Sequence, residues 1–189
     1  MKISGYQGIE TKRCTYNKNG YTGKGDAHMK NLLIAQSGGP TAAINATVAG
    51  IVTGAGASGK IDKIYGAVNG IKGVLEEKFV SLNSVLKDMG CIELLSHTPA
   101  AALGSCRFKL DSLEENDEQY RKIGEVLRKY EIGYFIYIGG NDSMDTVDKV
   151  SKYAKEHHYE IKVIGIPKTI DNDLMEIDHT PGFGSAAKY

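Results

Sequence analysis

The chain has 189 residues, 41% of them hydrophobic, with 23 Lys+Arg set against 23 Asp+Glu. That length permits one domain with a substantial core, and the balanced charge excludes a global field aimed at nucleic acid or an anionic membrane surface. No apolar run approaches the roughly 18 residues of a transmembrane helix, and the start lacks the apolar core of a signal peptide.

Residues 1–28 are rich in Gly, Asn, Lys, Thr and Tyr and show neither a helical nor a strand period. They read as an unstructured or non-native leader, because such a composition buries little surface. Met29 follows, directly before the first strand. Cys14, Cys91 and Cys106 are scattered without CxxC spacing, so the expectation is a cytoplasmic chain with no disulfide framework.

Leu32–Ala35 reads as a short buried strand, and Ile44, Val48, Ile51 and Val52 then recur at helical spacing. Gly54-Ala55-Gly56-Ala57-Ser58-Gly59 matches GxGxxG literally. The dinucleotide fingerprint must follow a strand and open a helix. This one ends a helix and precedes a strand, so helix termination and a loop are expected instead. Ile61–Val68 is the second strand, and Leu82–Met89 is expected to be a short helix. Ile123, Val126, Leu127 and Tyr130 mark one face of a helix within Leu113–Tyr130. Ile132–Ile138 is apolar enough for a strand covered on both faces. Met144, Val147, Val150 and Ala154 give a helix ending near His157-His158, and residues 161–166 form a last buried strand. The histidines lack metal-ligand spacing, and His157-His158 suit the negative end of a helix.

Strands alternating with helices predict an α/β fold: a Rossmann-like open parallel sheet, right-handed in its crossovers, with helices on both faces. Ligands of such sheets bind outside the carboxyl ends of the strands. Three loops should converge there. Ser37-Gly38-Gly39-Pro40-Thr41 joins a strand to a helix start, where glycines let the backbone approach an anion and free amides attract negative charge. An ordinary tight turn is the plainer reading. Gly139-Gly140-Asn141-Asp142-Ser143 repeats the arrangement; Asn141 can reach a magnesium ion or its water, and Ser143 can bond a phosphate oxygen or cap the helix.

The third loop, Pro167-Lys168-Thr169-Ile170-Asp171-Asn172-Asp173, gathers a lysine, a hydroxyl and carboxylates. Lys168 is a point charge for a developing phosphoryl charge, and Thr169 can hydrogen-bond a sugar or phosphate. Asp171 can take the proton of an attacking hydroxyl, and Asp173 can orient Asp171 or hold metal-bound water. The mixture suits a site that holds phosphate and deprotonates an alcohol.

Together with Leu103-Gly104-Ser105-Cys106-Arg107-Phe108 and Gly182-Phe183, these loops occur in the order found in the phosphofructokinase family, which the chain resembles from about Met29 onward. The resemblance implies that residues 29–189 are the phosphoryl-donor-binding half of that fold, stopping short of the half that grips the sugar phosphate. It implies that Gly39, Arg107, Gly140, Asn141, Asp142 and Ser143 face the donor. It also implies that Thr169, Ile170 and Asp171 meet fructose 6-phosphate, with Asp171 the base for the 1-hydroxyl, and that Mg2+ is the cofactor, at Asn141 and Asp173. Asn141 stands where the family usually has an aspartate, and a neutral amide weakens coordination of a hard cation.

Asp142 and Lys168, counted with Asp171 as catalytic, bear on the donor. ATP-using members typically have glycine at both positions, and pyrophosphate-using members have aspartate and lysine. An Asp142 carboxylate would repel a nucleotide's α-phosphate. The resemblance therefore implies transfer from pyrophosphate, with ATP as the alternative donor, in a protein expected to be a homo-oligomer at full length. A catalytically inert phosphate- or nucleotide-binding fragment is the second reading. A sugar or lipid kinase with a Gly-Gly-Asp-Gly loop is a third, against which the Thr-Ile-Asp-Asn-Asp run argues.

Overall fold

Consecutive apolar residues in a strand point to opposite faces, so a strand reading Leu-Leu-Ile-Ala needs cover on both sides. Leu32, Leu33, Ile34 and Ala35 have it: all four are buried in β1, Lys30–Gln36. The computed structural model describes residues 30–189, so the expectation for 1–28, together with Cys14 and Met29, falls outside the described residues. Leu32 and Ile34 pack against Ile44, Val48 and Val52 of α1, Ala42–Ser58. Leu33 and Ala35 pack on the other side against Tyr120, Ile123, Val126 and Leu127 of α5, Asp117–Lys129, and Val150 and Tyr153 of α6, Asn141–Glu156. Helices therefore cover both faces of an α/β sheet, as the alternation of elements requires.

The sheet has five strands in the order β3-β2-β1-β4-β5, with β2 Ile61–Ala67, β3 Phe79–Ser81, β4 Ile132–Gly139 and β5 Lys162–Pro167. The pairs β1–β2, β1–β4 and β4–β5 are parallel. The expected parallel sheet needs one correction: β3 pairs antiparallel with β2, Tyr65 opposite Ser81 and Ala67 opposite Phe79. The chain turns back through α2, Gly70–Leu75, a helix too short to carry a crossover.

Other boundaries differ for local reasons. The helix expected over Leu82–Met89 is one turn only, α3, Leu82–Val85. A separate α4, Met89–His97, begins after Asp88, whose carboxylate accepts from the Cys91 amide at 2.9 Å. The helix expected from Leu113 starts at Asp117, placing Asp117 and Glu118 in a first turn that favours acidic residues. Gly54 and Gly56 lie inside α1, which continues to Ser58 and stops at Gly59 in the left-handed conformation (φ 64°). Strand β5, expected to be buried, is an edge strand with Ile164 exposed, since only β4 pairs with it. His97 closes α4; His157 caps α6, with its ring stacked on Tyr153 at 3.9 Å. Cys91 and Cys106 are free thiols.

Candidate functional site

Parallel register brings three strand ends level. Gln36 of β1 lies opposite Ile138 of β4, and Gly139 lies opposite Pro167 of β5. Loops 37–41, 140–143 and 168–173 therefore leave the same sheet edge side by side. The ladder continues one step into them: Ser37 N donates to Ile138 O, and Lys168 N to Gly139 O, both at 2.9 Å.

Lys168 ties the three together. Its main chain extends the β4–β5 pairing, while its Nζ crosses β4 and donates to Gly39 O. Only 9% of the residue is exposed, and burial pulls the ammonium pKa below the ordinary lysine value, an effect opposed by the Asp171 carboxylate. The approach is close because Gly38 has none of the bulk of a side chain. Its φ is 78°, and a Cβ there would stand 3.3 Å from Gly140 N and 3.6 Å from Lys168 Nζ. Gly39 is exposed and faces open space.

On the second loop, Gly140 is the N-cap of α6 and no side chain caps that helix. Asn141 and Asp142 are thus spared capping and lie exposed in the first turn. Ser143 is buried instead, its Oγ packed against Gly139. On the third loop, Asp171 is exposed and its amide donates to Thr169 Oγ1 at 3.0 Å. Asp173 accepts from Asn141 Nδ2 at 3.3 Å, which joins loops two and three. Hydrogen bonds from Thr169 and then Asn141 hold its carboxyl below the usual aspartate range. Ile170 lies near Gly182, at the start of α7, Phe183–Lys188; a Cβ on that glycine would stand 3.4 Å from Ile170 Cδ1.

A fourth segment joins the edge. Ser37 Oγ donates to Cys106 O at 2.9 Å, and Ser105 Oγ donates to Gly38 O at 2.7 Å. These bonds hold the exposed Arg107 beside the first loop. Two buried amides anchor the chain upstream of it. Gln36 Oε1 accepts from Leu103 N at 2.8 Å, and Gln36 Nε2 donates to Ile44 O and Asn45 Oδ1. Asn45 accepts from Ala102 N and donates to Thr98 O, both at 2.9 Å. Gln36, Asn45 and Tyr137 were not among the sequence candidates. A signal existed: each puts a polar atom into an otherwise apolar strand or helix face, which the interior tolerates only when it is hydrogen-bonded.

The arrangement offers an ammonium, helix-start amides, a guanidinium and several carboxylates at one open edge. A magnesium ion is commonly held by one or two carboxylates, with phosphates and waters completing its shell. Asp173, kept ionised, with Asn141 beside it, fits such a partial donor set. Among the described residues no group of three or more His, Cys, Asp or Glu could hold a metal by itself. No helix of the described residues is long and apolar enough to cross a membrane. A hollow of about 280 Å³ lies away from this edge, lined by Lys30, Arg128, His157 and Tyr159 among others. Its guanidinium is already engaged, 4.3 Å over the Tyr159 ring and hydrogen-bonded to the Tyr159 hydroxyl at 2.6 Å. The loop edge is therefore the candidate site.

The family profile described as Phosphofructokinase matches residues 31–189. The chain is 51% identical over 159 residues to a pyrophosphate–fructose 6-phosphate 1-phosphotransferase of Xanthomonas campestris pv. campestris, covering 84% of this chain and 37% of that one. It is 46% identical over 161 residues to the enzyme of the same name from Methylococcus capsulatus, covering 85% and 38%. The crystal structure of pyrophosphate-dependent phosphofructokinase from Nitrosospira multiformis superposes with a TM-score of 0.76 at 46% identity, covering 85% of this chain and 39% of that one. The chain thus spans less than two fifths of the length of these relatives.

Proposed function

This chain belongs to the phosphofructokinase family, and from that premise we propose that residues 29–189 form the donor-binding part of a phosphotransferase that acts on fructose 6-phosphate with pyrophosphate. The observation that carries this reading is the junction of three loops at Lys168, whose ammonium sits on Gly39 O within a cradle of glycines and helix-start amides. Pyrophosphate is favoured as donor because Asp142 and Lys168 stand where a nucleotide-using site typically has glycines. The relatives at 51% and 46% identity carry pyrophosphate in their names.

In this reading Gly39, Gly140 and Arg107 hold pyrophosphate, and Lys168 offsets the charge that gathers on it. Ser143, whose hydroxyl is buried, acts through the loop it anchors. Thr169 and Ile170 position fructose 6-phosphate, and Asp171 takes the proton of its 1-hydroxyl. That oxygen attacks one phosphorus of pyrophosphate and forms the new C–O–P linkage. The P–O–P bridge breaks and orthophosphate leaves, giving fructose 1,6-bisphosphate. Asn141 and Asp173 would hold Mg2+, which supplies positive charge to the phosphate oxygens when bound. Asp142 excludes a longer donor by repulsion. The full-length protein is a cytoplasmic homo-oligomer in the same reading.

The test is phosphoryl transfer from pyrophosphate or ATP to fructose 6-phosphate, measured for this chain and for a chain carrying the further length present in the relatives. Turnover with pyrophosphate is the expected result. No turnover with either donor in either chain would sink the enzymatic reading and leave a phosphate-binding module. Turnover with ATP alone would overturn the donor choice.

A further inference from the structure

From Thr98 to Cys106 the chain lies in neither helix nor strand, yet it carries Arg107 to the loop edge. Such a segment has no ladder to satisfy its main-chain polar groups, so side chains must supply partners. Here they do so along one seam. Three consecutive residues at the end of β1 and in the first loop bond across to it. Gln36 Oε1 accepts from Leu103 N at 2.8 Å, Ser37 Oγ donates to Cys106 O at 2.9 Å, and Gly38 O accepts from Ser105 Oγ at 2.7 Å. Asn45, in α1, takes the upstream end, accepting from Ala102 N and donating to Thr98 O. On the far side Leu103 O accepts from Asn69 N at 2.8 Å, so both main-chain groups of Leu103 are engaged.

The two amides admit one orientation only. Gln36 and Asn45 are both 0% exposed, which leaves water no place to substitute for a missing partner. Gln36 Nε2 donates to Ile44 O and to Asn45 Oδ1, which commits both its protons. Asn45 Oδ1 accepts from Gln36 Nε2 and from Ala102 N, which fills both its lone pairs. Turning either amide over would set an NH2 group against a main-chain N–H. Every amide nitrogen and oxygen in this pair has a partner, and a satisfied buried network of that kind rigidifies what it holds. Arg107 itself is exposed, and among the described residues no carboxylate forms an ion pair with it. The reach of its guanidinium is then set by where its main chain is held.

We propose that Gln36 and Asn45 are positioning residues for Arg107, their amides and the hydroxyls of Ser37 and Ser105 fixing the 98–106 segment against the first loop. The holding of the segment stands on the contacts alone. Its consequence for pyrophosphate rests on the donor reading above, in which Arg107 holds that anion.

Gln36→Met keeps the length of the side chain and removes its amide. In the ligand-free chain, followed residue by residue by NMR, exchange of the Leu103 amide is expected to rise about tenfold, the loss of one or two net hydrogen bonds, with α5 unchanged. Asn45→Leu should do the same at Ala102. Ser105→Ala cuts the seam at the surface, away from the core, and should speed exchange at Leu103 and Gly104 alone. Unchanged exchange of Leu103 in Gln36→Met would overturn the proposal. Should Gln36→Met loosen α5 equally, Ser105→Ala decides: a rise confined to Leu103 and Gly104 supports the seam, and none there overturns it. Calorimetric titration with pyrophosphate then separates positioning from general damage. Gln36→Met should weaken binding about tenfold. In an Arg107→Ala background the same change should cost less than about threefold, because Arg107 is the group through which Gln36 acts. An equal loss with and without Arg107 would overturn the proposal, as would undiminished affinity in a variant whose segment had loosened. If the wild-type chain takes up no pyrophosphate, the donor reading falls, and the ligand-free comparison still decides the seam.

Discussion

Adjacent glycines in the first loop have opposite structural settings, and replacing each by alanine separates folding from binding. Gly38 has φ 78° and a Cβ site 3.3 Å from Gly140 N. Alanine there bears about 1–2 kcal/mol of left-handed strain, plus the cost of pushing the second loop aside. Against this stands about 0.4–1 kcal/mol from the narrower unfolded ensemble. The net is a loss near 1 kcal/mol, or a Tm lower by about 2–4 °C for a chain of this length. Gly39 lacks the positive φ and its Cβ site meets nothing within 4 Å, so Gly39→Ala should keep or slightly raise Tm. If pyrophosphate occupies that open space, the same methyl intrudes on it, at about 1–3 kcal/mol and hence roughly tenfold or more in Kd. Thermal unfolding and calorimetric titration of pyrophosphate on both variants measure the two effects. Equal Tm values for Gly38→Ala and Gly39→Ala would refute the strain argument. Wild-type affinity in Gly39→Ala would remove Gly39 from the donor site.

Lys168 links the site to pH. Its native pKa lies below that of the unfolded chain, so between the two values the unfolded chain binds more protons and stability rises with pH. Urea unfolding just below the ordinary lysine range should show that rise in the wild type and a flatter profile in Lys168→Met; parallel profiles would count against a buried, desolvated ammonium. Asp173 gives a slope of the same sign in the acid range: its native pKa is lowered, so its contribution is present above the unfolded aspartate value and is lost as pH falls through the native one. Carboxyl NMR should find Asp173 titrating below an ordinary aspartate and moving up in Thr169→Val, where an unmoved titration would discount the Thr169 hydrogen bond. Asp171→Ser should lower phosphoryl transfer by about 10²–10⁴ if Asp171 is the base, and an unaltered rate would assign the proton elsewhere.

The strands and the loops that leave them were legible because their signals are local. Leu32–Ala35 and Ile132–Ile138 are apolar runs that need cover on two faces, and Gly-Gly or Pro-Lys-Thr follows at their ends or at that of β5. Helix α4 was not, because Ile92 and Leu95 pack toward α1 while Met89 and Leu94 stay exposed, which blurs the apolar period. Strand β3 has three residues, too few for a period, and its direction depends on the turn through α2. The exposure of Ile164 was equally hidden, since an apolar edge strand reads like a central one until its neighbours are known. At the site, Lys168, Asp171 and Gly39 announce themselves by residue type beside a strand end. Gln36 and Tyr137 do not: the partners that give them meaning, Leu103 and Ile71, lie 67 and 66 residues away in sequence.

Position in the sheet explains why one lysine can govern the junction. Strand β5 is the edge strand, and β1, which carries the first loop, lies two places inward. At about 4.8 Å per strand the gap is close to 10 Å, more than a lysine side chain spans by itself, so the crossing is made beyond the strand ends, where the loops bring Gly39 within reach of Lys168. The ammonium passes beside Gly38, whose Cβ site is 3.6 Å from it, and ends on a carbonyl rather than on a carboxylate. A neutral acceptor holds the loops together without pairing the ammonium directly to a carboxylate, so its attraction for an anion is kept. A salt bridge at Gly39 would have fixed the loops as firmly and spent the charge. The same contact therefore gives the edge its shape and keeps an ammonium at the junction of the loops.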